Sequence, residues 1–169
     1  MNKLREYKIA FRGLTEGEHK FEYKLDSNFF ENFEMTKGVE GCVGALVTLK
    51  KTSLFIELKI ELDGSVKGIC DHCLGDVNVP IIGETELFIV ESGREEGNND
   101  DFVVVDPNDD YIDISLYLYE TYILNYPMKV VHKDGECDED MYEILDDYII
   151  EEEKIDPRWD ELKKLINNE

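Results

Sequence analysis

Apolar side chains recur at every second position through much of this chain. Past the stretch DFVVVDPNDDYIDI they recur at helical spacing instead. That one change of period restricts the fold to a sheet followed by helical structure, because strand neighbours lie two residues apart and helix neighbours three or four. EYKIAFRG alternates Tyr7, Ile9 and Phe11, and HKFEYKLD alternates Phe21, Tyr23 and Leu25, the pattern of half-buried strands. DSNFFENFEM predicts a short helix with Ser27 as its N-cap. GCVGALVTLKKTSLFIELKIELDGSVKGIC predicts two or three longer strands, divided by a turn near residues 51–53 and by the hairpin-favouring pair Asp63-Gly64. ETELFIVES is a further strand, and DFVVVDPNDDYIDI returns as a short strand and a turn. In DISLYLYETYILNYP, residues Leu116, Tyr119, Ile123 and Tyr126 share a helical face, and Pro127 ends the helix. The expected fold class is α+β: an antiparallel sheet, strongly curved or barrel-like, with a packed helix and a short C-terminal helix.

A chain of 169 residues with 42% hydrophobic content can bury one core. Residues 1–150 read as a single α+β domain, interrupted at 91–101 by the polar stretch SGREEGNNDD, an exposed mobile loop. Residues 151–169 form an acidic C-terminal segment. Within it Asp156 can cap a short helix, Pro157 suits its first position, and Trp159, Leu162 and Ile166 line one face. DEDMYEILDDYIIEEE reads either as another helix or as a flexible acidic segment. No apolar run reaches the length of a membrane span, and the N-terminus has no secretory h-region. The expected location is the cytoplasm.

Charge narrows the choice of partner. There are 40 acids against 18 bases, a net of −22. Duplex nucleic acid is normally gripped by Lys and Arg neutralising phosphates, so broad phosphate-backbone binding is disfavoured and a basic partner is favoured. Residues 134–161 alone hold 14 acids and only two bases, Lys154 and Arg158. Such a run is either a solvated face or the complement of a basic surface.

GICDHCLGD sets Cys70 and Cys73 three apart, ahead of a turn-forming glycine. Two thiols so spaced can converge on one metal ion, and zinc takes four ligands of the thiolate and imidazole type. The natural second pair is His132 and Cys137, in the irregular stretch after Pro127. A structural Zn2+ site of Cys70, Cys73, His132 and Cys137 would pin the helical end of the chain to the sheet, and metal binding would count as folding energy. The competing readings are unliganded thiols with His132 on a surface loop, and a redox pair. The redox pair is weaker because it calls for a helix N-terminus, and because Asp71 and Asp76 should raise the thiols. His72 is a poor first ligand if the two cysteines converge, and Cys42, in GCVGALV, reads as a small buried thiol.

An enzyme finds little support. Four protein ligands leave no open position on zinc, and no Gly-x-Ser-x-Gly, P-loop or His-Glu-x-x-His occurs. DPNDDYIDISLY imitates a calcium loop at Asp106, Asn108 and Asp110, but has Tyr111 and Tyr117 where the glycine and the bidentate glutamate belong. Tyr117, Tyr119, Tyr122 and Tyr126 offer stacking faces for bases, yet at helical spacing they read as core or core edge.

Four pieces in order, CDHCL, YIDISLYLYETYILNYPMKVVH, GEC and DPRWDELKKL, resemble the YceD family, the bacterial large ribosomal RNA subunit accumulation proteins. The likeness covers the second half of the chain, and Asp156-Pro157-Arg158-Trp159 is its most specific mark. It implies a metal-binding protein with Cys70, Cys73, His132 and Cys137 at the family's ligand positions. It also implies a role in accumulation of large-subunit ribosomal RNA, hence in ribosome assembly. Two departures stand out. His72 lies where many members carry arginine, and HKDGEC is a thinner pattern than a fuller cysteine set. Family role and charge are reconciled if the protein is a non-enzymatic accessory acting through a basic ribosomal protein or assembly factor. RNA would then be touched indirectly, or through a local patch around Lys50, Lys51, Lys59 and Lys67. The rival classes are a zinc-dependent hydrolase or nuclease and a zinc-ribbon-like adaptor unrelated to RNA.

Overall fold

The structure is a computed structural model and describes residues 4–53, 55–91, 102–106, 108–133, 135–138 and 141. The expected loop at 91–101 (apart from the backbone of Glu91) and the expected C-terminal helix and acidic segment lie outside them.

The elements in order are β1 (Lys8–Ile9), β2 (Gly17–Leu25), α1 (Ser27–Phe30), β3 (Gly41–Lys51), β4 (Ile56–Ile69), β5 (Asp76–Glu91), β6 (Phe102–Val105), β7 (Ile112–Asp113) and α2 (Ser115–Asn125). The fold is α+β. Five strands form one sheet in the order β2-β3-β4-β5-β6, and β1 pairs with β7 beside it. The pairings β2–β3, β3–β4 and β4–β5 are antiparallel, while β6 runs parallel to β5. The sheet is open, with β2 and β6 at its two edges. The barrel-like closure expected from the run of strands is therefore not the arrangement described.

One sheet face is apolar because the strand period is two. Val43, Ala45, Val47 and Leu49 of β3 face Leu58, Ile60 and Leu62 of β4 and Val79, Ile81 and Ile89 of β5, all buried. Phe29, Phe30, Leu118 and Tyr122 close over this layer, and Tyr7, Ile9, Phe11, Ile112 and Ile114 join the same core. Lys51 fastens the N-terminal segment to the sheet, its Nζ donating to the carbonyls of Phe11, Arg12 and Leu14 at 3.1, 3.1 and 2.8 Å.

Four local expectations are corrected. The cap of α1 is Asp26, whose carboxylate accepts from Asn28 N and Phe29 N, and Ser27 is already helical. Asp63-Gly64 is not a turn but mid-strand, Asp63 opposite Gly44 and Gly64 opposite Val43. A Cβ on Gly64 would collide with the Cys42 carbonyl, so glycine serves close backbone approach rather than a hairpin. Cys42 is exposed, because Val43 and Ala45 set the inward phase of β3 and turn Cys42 outward. Lastly, α2 buries Ser115, Leu118, Thr121 and Tyr122, leaving Leu116 and Ile123 exposed. The helix is apolar on both sides, and the buried side is the one that meets β4 and β5, where Asn125 lies against Gly83. The helix does stop before Pro127, with Tyr126 extended as the residue before proline must be.

The tyrosines of α2 serve the core and its margin. Tyr122 is buried against Phe30 with ring centroids 4.7 Å apart, and Tyr119 stacks on Phe33 at 4.0 Å. Among the described residues no helix is long and apolar enough to cross a membrane.

Candidate metal centre

The antiparallel register of β4 and β5 ends at Ile69 opposite Asp76, so residues 70–75 form the loop between them. Cys70 N donates to Gly75 O at 2.8 Å and Leu74 N to Cys70 O at 2.9 Å. These bonds curl the loop until both cysteine side chains point the same way. Leu74 takes the left-handed conformation, φ 58°, which costs a non-glycine residue about 1 kcal/mol.

The segment after α2 lies alongside. Asp71 N donates to Val130 O, and Val130 N donates to Asp71 Oδ2, both at 2.7 Å. This two-bond bracket fixes the register of residues 130–132 against the loop and brings His132 to it. His132 Nε2 lies 3.0 Å from the carbonyl oxygen of Asp76, which accepts its proton and leaves Nδ1 as the free donor atom. Cys137 follows a short turn in which Glu136 N donates to Lys133 O.

Cys70, Cys73, His132 and Cys137 thus come together, each offering one ligand atom, all within 4.8 Å of one another, and could hold a metal ion. Cys70 Sγ is 3.8 Å from Cys137 Sγ, Cys73 Sγ is 3.3 Å from His132 Nδ1, and Cys137 Sγ is 3.8 Å from that nitrogen. Zinc–sulfur bonds of about 2.3 Å at the tetrahedral angle set two sulfurs about 3.8 Å apart, and a sulfur and an imidazole nitrogen about 3.6 Å apart. The three separations given are close to the edges of such a tetrahedron, and all four donors lie within 4.8 Å of one another. The Asp76 carbonyl behind His132 is the outer partner that a metal-bound imidazole ordinarily has.

The electrostatics prepare two of the three sulfurs to lose protons. Burial opposes ionisation of Cys70, but the backbone N–H groups of Cys73, His132 and His72 outweigh it and bring the thiol down to about 5. The N–H groups of Asp138 and Gly75 lower Cys73 as well. Cys137 moves the other way, to about 11, through burial and the two neighbouring sulfurs. His132 is raised, first by its bond to the Asp76 carbonyl. A cation at the centre would remove the mutual repulsion that holds up Cys137. The expectation that Asp71 and Asp76 raise the paired thiols is overturned. Asp71 spends its carboxylate on Val130 N, and N–H groups face the sulfurs instead.

The remaining sequence candidates fall elsewhere. His72 and Cys42 are not among the four. Asp106 and Asp110 organise a turn with Arg12: the guanidinium donates to the carbonyls of Asp109 and Asp106 and lies 3.8 Å from Asp110, a cation already supplied by the chain. Of the lysines proposed as a patch, Lys50 meets Glu57, Lys59 meets Glu61 and Glu84, Lys67 meets Glu40, and Lys51 is bound to three carbonyls. Sequence reasoning missed Asp71 as a structural member of the site. Its partner is 59 residues away, and no local pattern announces so remote a bond.

The family model described as Large ribosomal RNA subunit accumulation protein YceD matches residues 58–166. No curated protein matches the chain, and no solved structure does.

Proposed function

Because this chain belongs to the YceD family of large ribosomal RNA subunit accumulation proteins, we propose that it is a non-enzymatic accessory of ribosome assembly, needed for large-subunit ribosomal RNA to accumulate. The observation that carries this reading is the extent of the match. Residues 58–166 take in both halves of the four-residue cluster and the helix between them.

Within that role Cys70, Cys73, His132 and Cys137 hold a structural zinc ion. The metal would supply folding energy and lock the segment after α2 onto the β4–β5 loop. A full set of four protein donors supports a structural use over a hydrolytic one, since a hydrolytic zinc keeps a position for water. The net charge of −22 and the engagement of Lys50, Lys51, Lys59 and Lys67 favour action through a basic ribosomal protein or assembly factor, with RNA touched indirectly. The cytoplasm suits this role, because thiols stay reduced there.

The test is depletion of the protein in cells, with large- and small-subunit ribosomal RNA quantified together. The large-subunit species should fall relative to the small one and recover with the wild-type chain but not with Cys70→Ser. An unchanged ratio on depletion would overturn the reading.

A further inference from the structure

The two segments that carry the cluster also carry aliphatic side chains that the fold leaves in water. Leu74, at the tip of the β4–β5 loop, is 67% exposed, and Met128 is fully exposed. Val131, beside the ligand His132, is 38% exposed. Leu74 and Met128 belong to segments that the Asp71–Val130 bracket holds side by side. Gly75, next to Leu74, lies so close to His132 that a Cβ there would be 3.6 Å from its Cε1. Nothing about folding requires such exposure. Leu74 even holds a left-handed conformation, φ 58°, that asparagine or glycine would adopt at lower cost. Large apolar side chains left in water on a pinned framework are the usual anchors of a protein interface.

Charge says what kind of partner fits. The whole chain carries a net charge of −22, and residues 134–161, which include Cys137, hold 14 acids and two bases. An apolar anchor site on so acidic a chain complements a polypeptide in which leucine-like side chains sit among lysines and arginines. It repels a phosphate backbone. We propose that Leu74, Met128 and Val131 form the docking surface for a Lys/Arg-rich protein segment with aliphatic anchors, the chain's negative charge steering that segment to them. This rests on the accessory role and names the surface through which it would act.

The test uses the full zinc-loaded chain and fluorescence anisotropy. The probes are a labelled Lys/Arg-rich peptide carrying two leucines, the same peptide with both leucines replaced by serine, and a short single-stranded RNA. The leucine peptide should bind about tenfold or more tighter than its serine form, and Leu74→Asn and Met128→Ser should each weaken it about tenfold. Both substitutions are on exposed side chains, and equal metal content and circular dichroism establish that the variants are folded. The proposal is overturned if the variants bind the peptide as the wild type does. It is also overturned if they abolish RNA binding rather than peptide binding, or if light scattering shows that they break a self-associated form. Depletion separates the two claims. Normal large-subunit ribosomal RNA in depleted cells sinks the accessory role and leaves the peptide result standing, whereas unaffected peptide binding sinks the docking surface alone.

Discussion

Asp71 and Val130, 59 residues apart, exchange two hydrogen bonds of 2.7 Å: backbone N–H to carbonyl in one direction, backbone N–H to carboxylate in the other. Among the described residues this is the backbone bracket between the β4–β5 loop and the segment after α2. It decides where His132 falls, and so whether two pairs of potential ligands become one site. Replacing Asp71 by alanine should strip the buried Val130 N–H of its acceptor, costing about 1–3 kcal/mol. Metal affinity should fall by about 10–100-fold, as when an outer-shell partner is lost. Competition with a chromogenic chelator, beside urea denaturation of the loaded protein, measures both. Asp71→Asn keeps an oxygen acceptor and should lie between alanine and wild type.

Gly64 marks a close approach of β3 and β4. A Cβ there would collide with the Cys42 carbonyl oxygen and lie 2.6 Å from Val43 Cα, and neither backbone atom can rotate aside. Gly64→Ala should cost about 2–3 kcal/mol and lower the melting temperature by about 5–10 °C. Gly13→Ala, where nothing stands within 4 Å, is the matched control and should melt near wild type in calorimetry.

That glycine also shows how far the sequence could be read. That Cys70, Cys73, His132 and Cys137 lie close together was legible because ligand chemistry restricts residue type and spacing at once. The strand phases were legible wherever one face alone is apolar, as in β2 and β3. Asp63-Gly64 misled because the dipeptide that favours a hairpin also permits two backbones to approach, and only the cross-strand partner distinguishes the cases. The α2 face misled because Leu116 and Ile123 are as apolar as Leu118 and Tyr122. Which stripe is buried depends on where the helix lands on β5, a tertiary fact with no local signature. The β6 pairing, parallel rather than antiparallel, is hidden for the same reason.

Tyr122 supplies a pH prediction. Burial, with the phenols of Tyr126 and Tyr119 nearby, pushes its hydroxyl from an ordinary 10 up to about 12. A raised acid binds its proton more tightly in the folded chain, so its contribution is complete below pH 10. That contribution drains away as pH rises from 10 towards 12, where the unfolded chain ionises first. Tyr122→Phe removes this loss. Denaturation at pH 9 and pH 11 should show the variant gaining on the wild type at the higher pH; a gap that stays constant would mean that Tyr122 does not titrate on unfolding.

Metal analysis of the chain purified without chelator, wild type beside Cys70→Ser, tests the central claim most directly. The account predicts zinc at one ion per chain in the wild type and a large loss in the variant. It also predicts that stripping the ion lowers the wild type's melting temperature. Equal and negligible metal in both proteins would contradict it.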